Sequence, residues 1–360
     1  MKIVENLTLF SNHHNMKRKK ILQAVLLIAT AVSLWFIPWP ILKAWLTPSP
    51  NSIQEQVDKV HDYGFDGIIV YIGKGDGSSK IYTAGYKDRD SKEAADPNSL
   101  FKIASVSKLY TALAITRLAY DHELSLEATL GDYFPELIGR IENAKDITIR
   151  MMVQHRSGIP NYTSVNNYWA HPKETDQERL NLVLDLPADF KPDSDYEYSN
   201  TNYLLLSMLI EKITKEKKFE YIQRTILTPL QLTHTYGSIH DVRLGDVMSG
   251  YYEGYQEDLK TDDTGLMLAT AEDLGKFIRA LNDGTAFRDQ QELALYTSLY
   301  KFEHTGLIPG YQTIAKYHPD LDIVMIQFTN TVNFDGYNWS LHEIMYHKIL
   351  NILKRQEKSN

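Results

Sequence analysis

The longest unbroken apolar stretch lies near the start of the chain. Behind Lys17, Arg18, Lys19 and Lys20, the seventeen residues from Ile21 to Ile37 carry no charge. As a helix they rise about 25 Å, near the short limit for crossing a bilayer. Trp35, Trp39 and Trp45 gather at the far end, where an interfacial aromatic belt would sit. The basic flank predicts residues 1–20 on the cytoplasmic side, an anchor or signal over 21–45, and everything after about residue 45 outside. Two other readings remain open. Ala29 and Ala31 give the small-x-small site of a cleaved signal peptide, which would make the protein secreted, although the run exceeds the usual h-region. A buried helix of a soluble domain is the third. Residues 1–15 are polar and unpatterned, and Met16 before the basic cluster would make a more ordinary start.

Residues 46–57, with Thr47-Pro48-Ser49-Pro50-Asn51-Ser52, read as a linker. A hairpin pattern follows: Gly67 to Ile72, turn chemistry from Gly73 to Gly77, then Lys80 to Tyr86. Helical spacing runs from Val106 to Tyr120, through Leu109, Leu113 and Leu118. Residues 121–264 read mostly as helices and long loops. Asn202 to Thr214 is a strong helical pattern, and Gly265 to Leu281 reads as another. Strands return at Tyr311 to Tyr317 and Ile323 to Phe328, around a turn at His318-Pro319-Asp320, before a last amphipathic helix from about Ser340 to Leu353. Strands open and close the domain at 58–355, and helices fill its centre. That order predicts an α/β (α+β) fold: one antiparallel sheet from 58–104 and 300–355, flanked by helices, with an α-rich insertion at about 121–264.

Composition narrows the function. The chain has 360 residues, 43% of them hydrophobic, and a formal net charge of -8. A core of useful size is expected. No Lys/Arg run exists beyond residue 20, which argues against a nucleic-acid partner. There is no cysteine, so disulfides, thiolate zinc sites and a cysteine nucleophile are excluded.

Three short motifs carry candidate chemistry. Ser105-Val106-Ser107-Lys108 is a Ser-x-x-Lys at the start of a helix, where residues three apart share a face. Lys108 would bring its amine beside the Ser105 hydroxyl, near the free N–H groups and positive end of the helix dipole. Serine becomes a good nucleophile when an adjacent base takes its proton, and lysine serves when its pKa is lowered. The plain alternative is a helix cap beside a solvated lysine. Ser99…Lys102 and Ser298…Lys301 match the same pattern. Tyr198-Ser199-Asn200 precedes the second strong helix; its phenol could relay a proton and its amide could orient the lysine and bind a carbonyl. Read blandly, it is a loop and a cap. His304-Thr305-Gly306 opens a closing strand, where Gly306 would let a substrate backbone approach the edge and the Leu307 N–H would join that of Ser105 as an oxyanion hole.

Ser-x-x-Lys, Tyr-x-Asn some ninety residues on and His-Thr-Gly about a hundred beyond that resemble the three signatures of the serine β-lactamase and penicillin-binding family. The Tyr-x-Asn variant is similar to the branch of class C β-lactamases, D-alanyl-D-alanine carboxypeptidases and related esterases. Further stretches stand in family order: Asp132-Tyr133-Phe134-Pro135-Glu136, Val153 to Pro160 with its His155-x-Ser157-Gly158, Thr228-Pro229-Leu230, and Gly265-Leu266 through Asp273-Leu274. The resemblance covers about residues 60–350. It implies a serine hydrolase acting through an acyl-enzyme on Ser105, with Lys108 and Tyr198 sharing acid and base work. Asn200, His304, Thr305 and Gly306 would bind substrate, and the Ser105 and Leu307 N–H groups would hold the oxyanion. The implied substrates are small peptides, esters or β-lactams. A cell-wall D-alanyl-D-alanine peptide comes first, with an esterase, a β-lactamase or a slow penicillin-binding sensor as alternatives. No metal or organic cofactor is implied. His304 stands where class C β-lactamases usually carry Lys, which points away from that activity. Pro192-Asp193-Ser194 and the Gln231 after Leu230 depart from the family's glycines. His342-Glu343…His347 is one residue too long for a zincin helix.

Overall fold

The computed structural model describes residues 19–359 apart from 21, 31 and 264. Lys17, Arg18, Ile21, Ala31 and everything before them in the expected cytoplasmic segment up to residue 18 lie outside the described residues. The chain divides into two compact units, 1–48 and 49–360.

In the first unit the apolar run is broken. Helical pieces at Leu22–Trp35 and Trp39–Leu46 are bent by 80°, and they meet the length and hydropathy of a span only as a pair. No single helix among the described residues is long and apolar enough to cross a membrane. The break falls at Pro38, which has no N–H to donate and disfavours helix in the residue before it.

In the second unit the chain packs sooner than its composition suggests. Ser52 caps a short helix, Ile53–Val57, whose Ile53 and Val57 are buried, so the second half of the expected linker is already part of the core. A six-stranded sheet follows. Its strands are β1 (Gly67–Lys74), β2 (Ser79–Asp88), β3 (Glu93–Ala94), β4 (His304–Ile308), β5 (Tyr311–His318) and β6 (Ile323–Thr329). The spatial order is β3-β2-β1-β6-β5-β4, with every pairing antiparallel. The two ends of the chain therefore meet at the β1–β6 seam, with Tyr71 opposite Ile326. That seam has cover on both faces, and β1 accordingly reads as one apolar run with both Ile68 and Ile69 buried.

Four helices matter for the site: α1 (Ser107–Tyr120), α2 (Asn200–Thr214), α3 (Ala271–Asp283) and α4 (Asn338–Ser359). Helix α1 is buried over almost its whole length, Ser107 to Leu118, as a central helix must be. Helix α3 lies against β1 so closely that a Cβ at Gly275 would meet the Tyr71 ring at 2.1 Å. Helix α4 covers the other face, where buried His342 takes hydrogen bonds from Gln327 Nε2 and Thr329 Oγ1. That histidine is a packing element of the sheet.

The helix expected from Gly265 starts late. Leu268–Ala269 is a strand that pairs with both Phe101–Lys102 and Thr235–Tyr236, and α3 begins at Ala271 behind the Thr270 cap. Two apolar residues at the helix threshold satisfied the helical period and the strand's buried pair equally well. The antiparallel sheet flanked by helices is otherwise as expected.

Candidate active site

Ser105 does not sit inside α1. It lies in a single 3₁₀ turn, Ala104–Val106, that feeds the helix. Ala104 is held at φ 51, a left-handed conformation costing a non-glycine residue about 1–3 kcal/mol. Ser107 Oγ closes the turn on the Ala104 carbonyl at 2.7 Å, and the Met267 N–H donates to the same Oγ at 3.2 Å. The edge strand β4 presses on this turn. A Cβ at Gly306 would lie 2.5 Å from the Ile103 oxygen and 3.3 Å from the Ser105 nitrogen. The sequence suggested that glycine at 306 admits a substrate; the structure shows that it admits the backbone of the serine's own turn.

Around Ser105 Oγ three side chains converge. The Tyr198 hydroxyl donates to it at 2.7 Å, and Lys108 Nζ stands 3.3 Å away. Lys108 Nζ also donates to Asn200 Oδ1 at 2.7 Å, and Asn200 Nδ2 donates to Thr163 Oγ1 at 3.0 Å. Asn200 is the first residue of α2, two positions earlier than the periodicity placed the helix start. Lys108 is almost fully buried, and desolvation lowers its pKa to about 7. Its ammonium lies over the rings of Tyr198 and Tyr203 at 4.9 and 5.5 Å. Burial pushes the Tyr198 phenol the other way, up to about 12, against a smaller opposing pull from its bond to Ser105. Near neutral pH the lysine is the group that changes charge and the tyrosine keeps its proton.

The stretch 155–161 is what holds the Tyr-x-Asn turn. Thr201 Oγ1 donates to the Pro160 carbonyl at 2.6 Å, Ser157 Oγ to Asn202 Oδ1 at 2.7 Å, and the Asn200 N–H to Asn161 Oδ1 at 3.0 Å. His155 belongs to the same bracket. It is buried, its Nδ1 accepts from the Ser199 N–H at 3.2 Å, and its ring packs on Tyr198 at 4.6 Å. Burial, then the nearby Lys108 and Lys301 charges, lower its pKa to about 3, so it is a neutral prop for the tyrosine.

On β4, burial alternates: His304, Gly306 and Ile308 face inward, Thr305 and Leu307 are half-buried on the other face. Leu307 lines a cleft with Ser105, Thr163, Asn200 and Trp169. His304 is not free. Its Nδ1 is 2.5 Å from the Thr305 carbonyl, which can only accept, so Nδ1 carries the proton and Nε2 accepts from the Tyr300 hydroxyl at 3.0 Å. Desolvation and neighbouring cations hold its pKa well below the usual histidine value. It offers a substrate neither charge nor an idle nitrogen.

The rival Ser-x-x-Lys pairs are not assembled. Lys102 Nζ is committed to the carbonyls of Leu259 and Asp262, at 2.7 and 2.6 Å, and Ser298 Oγ donates back to Leu295 at 2.7 Å. Sequence reasoning missed Thr163, in a 3₁₀ turn at Tyr162–Ser164, and Tyr300, in a loop, whose local patterns gave no sign of what they would touch.

A serine in a strained turn beneath a buried lysine, a tyrosine and a strand edge is the arrangement of a serine hydrolase. The comparisons agree with that class. The Beta-lactamase family model matches residues 52–301, and the chain belongs to that family. It is 29% identical over 194 residues to Protein flp of Staphylococcus aureus (strain N315), covering 51% of this chain and 38% of that one. It is 28% identical over 203 residues to Penicillin-binding protein 4* of Bacillus subtilis (strain 168), covering 55% and 43%. The matched region thus spans less than half the length of these curated relatives. Among solved structures, D-amino acid amidase from Ochrobactrum anthropi SV3 shares the fold with a TM-score of 0.73 at 21% identity, over 88% of this chain and 99% of that one. A penicillin binding protein from Bacillus halodurans does so with 0.69 at 19%, over 84% and 100%.

Proposed function

We propose that the protein hydrolyses a peptide or amide of cell-wall type through an acyl-enzyme on Ser105. The observation that carries this reading is the shared contact of Lys108 and Tyr198 with the Ser105 hydroxyl, the lysine poised near 7 by burial alone. Unprotonated Lys108 takes the Ser105 proton as the oxygen attacks the carbonyl. The N–H groups of Ser105 and Leu307 receive the developing oxyanion, each donor being worth about 10²–10³ in turnover. Tyr198, still protonated, delivers a proton to the leaving nitrogen and is restored from Lys108. Water then cleaves the ester by the same route in reverse. Asn200 orients the lysine, and Thr305 and the β4 edge receive substrate backbone.

The substrate class follows from the family relation to penicillin-binding proteins, with D-alanyl-D-alanine peptides as the first candidates. The occupied, uncharged His304 favours a second reading, an esterase or amidase for substrates without a carboxylate at that place. We place the domain outside the cytoplasm, held at the membrane by the segment 21–45. The apolar side chains from Leu22 to Ile28, with Val32 and Leu34, are exposed, which supports contact with a membrane. Release of D-alanine from a cell-wall pentapeptide, scored beside turnover of short p-nitrophenyl esters, tests the assignment. Ester turnover without D-alanine release selects the second reading, and neither activity refutes both.

A further inference from the structure

The cleft at Ser105 does not end at its own walls. Tyr162, Tyr168 and Trp169 line it together with the serine. From there ring contacts continue outward without a gap. Tyr162 packs on Tyr168 with centroids 5.2 Å apart, and Tyr168 on Trp169 at 5.1 Å. Trp169 meets Phe334 at 6.0 Å, Phe334 meets Tyr252 at 5.4 Å, and Tyr252 meets Tyr255 at 5.5 Å. Three separate stretches of chain supply these six rings. Its outer part opens to solvent: Tyr168 beside the cleft is 7% exposed, whereas Phe334 is 38% and Tyr255 58% exposed, with Tyr252 half-buried between them. The Phe334 N–H donates to the Tyr252 hydroxyl at 3.1 Å, which pins the loop carrying Phe334 and leaves the phenol proton to give.

Polar groups interleave with the rings. Glu253 Oε2 accepts from Asn333 Nδ2 at 2.9 Å beside the Phe334–Tyr252 contact, with acceptor capacity to spare. Asp335, the residue after Phe334, and Glu257, two residues after Tyr255, are exposed. An alkyl chain would pay desolvation of these carboxylates for no return, and an anionic ligand would be repelled. A pyranose ring suits both features: its C–H face rests on an aromatic ring and its hydroxyls reach carboxylate and amide.

We propose that Trp169, Phe334, Tyr252 and Tyr255 form a saccharide subsite, continuous with the Ser105 cleft, that holds the neutral glycan portion of the substrate remote from the scissile bond. The proposal rests on the cell-wall reading of the function and extends it. Binding energy gathered this far from the reacting carbonyl serves to position it. Titrating the full chain carrying Ser105→Ala with a β-1,4-linked N-acetylglucosamine tetramer, by calorimetry, tests it without turnover. Saturable binding is expected, weakened at least tenfold in both Phe334→Ala and Tyr255→Ala, whose exposed side chains put the fold at little risk. On active protein, the ratio of kcat/KM for a glycan-bearing peptide to that for the bare peptide falls by a similar factor in Phe334→Ala. Absent binding, binding indifferent to both variants, or a gain shown by long-chain acyl esters alone that Phe334→Ala removes would each overturn the subsite. Fluorophosphonate labelling of Ser105 reads the catalytic assignment separately, so loss of one is told from loss of the other.

Discussion

Lys108 reaches the range of a useful base because burial acts on it unopposed: desolvation is the cause of its shift, and its partners are a hydroxyl and an amide oxygen. Two consequences follow from the direction of that shift. The base must be unprotonated, so kcat/KM is expected to fall about tenfold per unit as pH drops below about 7, with the profile read on a neutral substrate. The folded pKa lies below its ordinary value of 10.5, so between about 7 and 10.5 the unfolded chain binds more protons there. The stability linked to this residue therefore rises with pH across that window. The melting-temperature advantage of Lys108→Met over the parent protein is expected to be largest at pH 7 and to shrink toward pH 10. Two departures from family glycines also acquire a physical meaning at this scale. Asp193 and Gln231 stand at φ 62 and 56, left-handed positions that glycine fills without strain. Asp193 repays part of that cost through its ion pair with Arg156 at 2.5 Å. Gln231 has no side-chain hydrogen bond among the described residues, and Gln231→Gly is expected to stabilise the protein by less than about 1 kcal/mol, the strain relieved being partly offset by unfolded-state freedom. Chemical denaturation measures it.

At the scale of elements, the site is a contact between a turn and a strand edge. Gly306→Ala drives a methyl into the Ile103 carbonyl and displaces the turn that presents Ser105. Acylation is expected to slow at least about a hundredfold, the order of one lost oxyanion donor, while the circular dichroism spectrum is retained. Much of this was legible beforehand, because the hairpins, α1 and α2 are long patterns with one face or both buried. Ser-x-x-Lys, Tyr-x-Asn and His-Thr-Gly could be read as residues in order, and the sheet built from both chain ends could be read from where strands recur. What escaped the sequence was whatever depends on a partner far along the chain. Leu268–Ala269 is a strand only because Phe101 and Thr235 flank it. His304 looks like a substrate ligand until Tyr300 is seen to occupy its nitrogen. His155 stood out in its family-ordered stretch, but only the fold shows its ring packed against Tyr198 at 4.6 Å.

At the scale of the whole molecule, the compact unit from 49 onward contains every group in the proposed chemistry, and the unit before it contains none. A chain shortened to residues 49–360 is expected to stay in the supernatant after high-speed centrifugation with kcat unchanged, while the full chain sediments with membranes. Apolar content alone could not decide how the first unit folds, since Pro38 ends the apolar run and separates two helical pieces that meet the length and hydropathy of a span only together.

The central claim is that one hydroxyl, activated by one buried amine, does the chemistry. It is tested most directly by reacting the protein with a fluorescent penicillin or a fluorophosphonate across pH and locating the adduct by mass spectrometry. The account predicts a single adduct on Ser105, formed at a rate that rises through pH about 7 and is lost in Lys108→Ala. An adduct on Ser99 or Ser298, or labelling of Ser105 at a rate indifferent to pH and to Lys108, would contradict it.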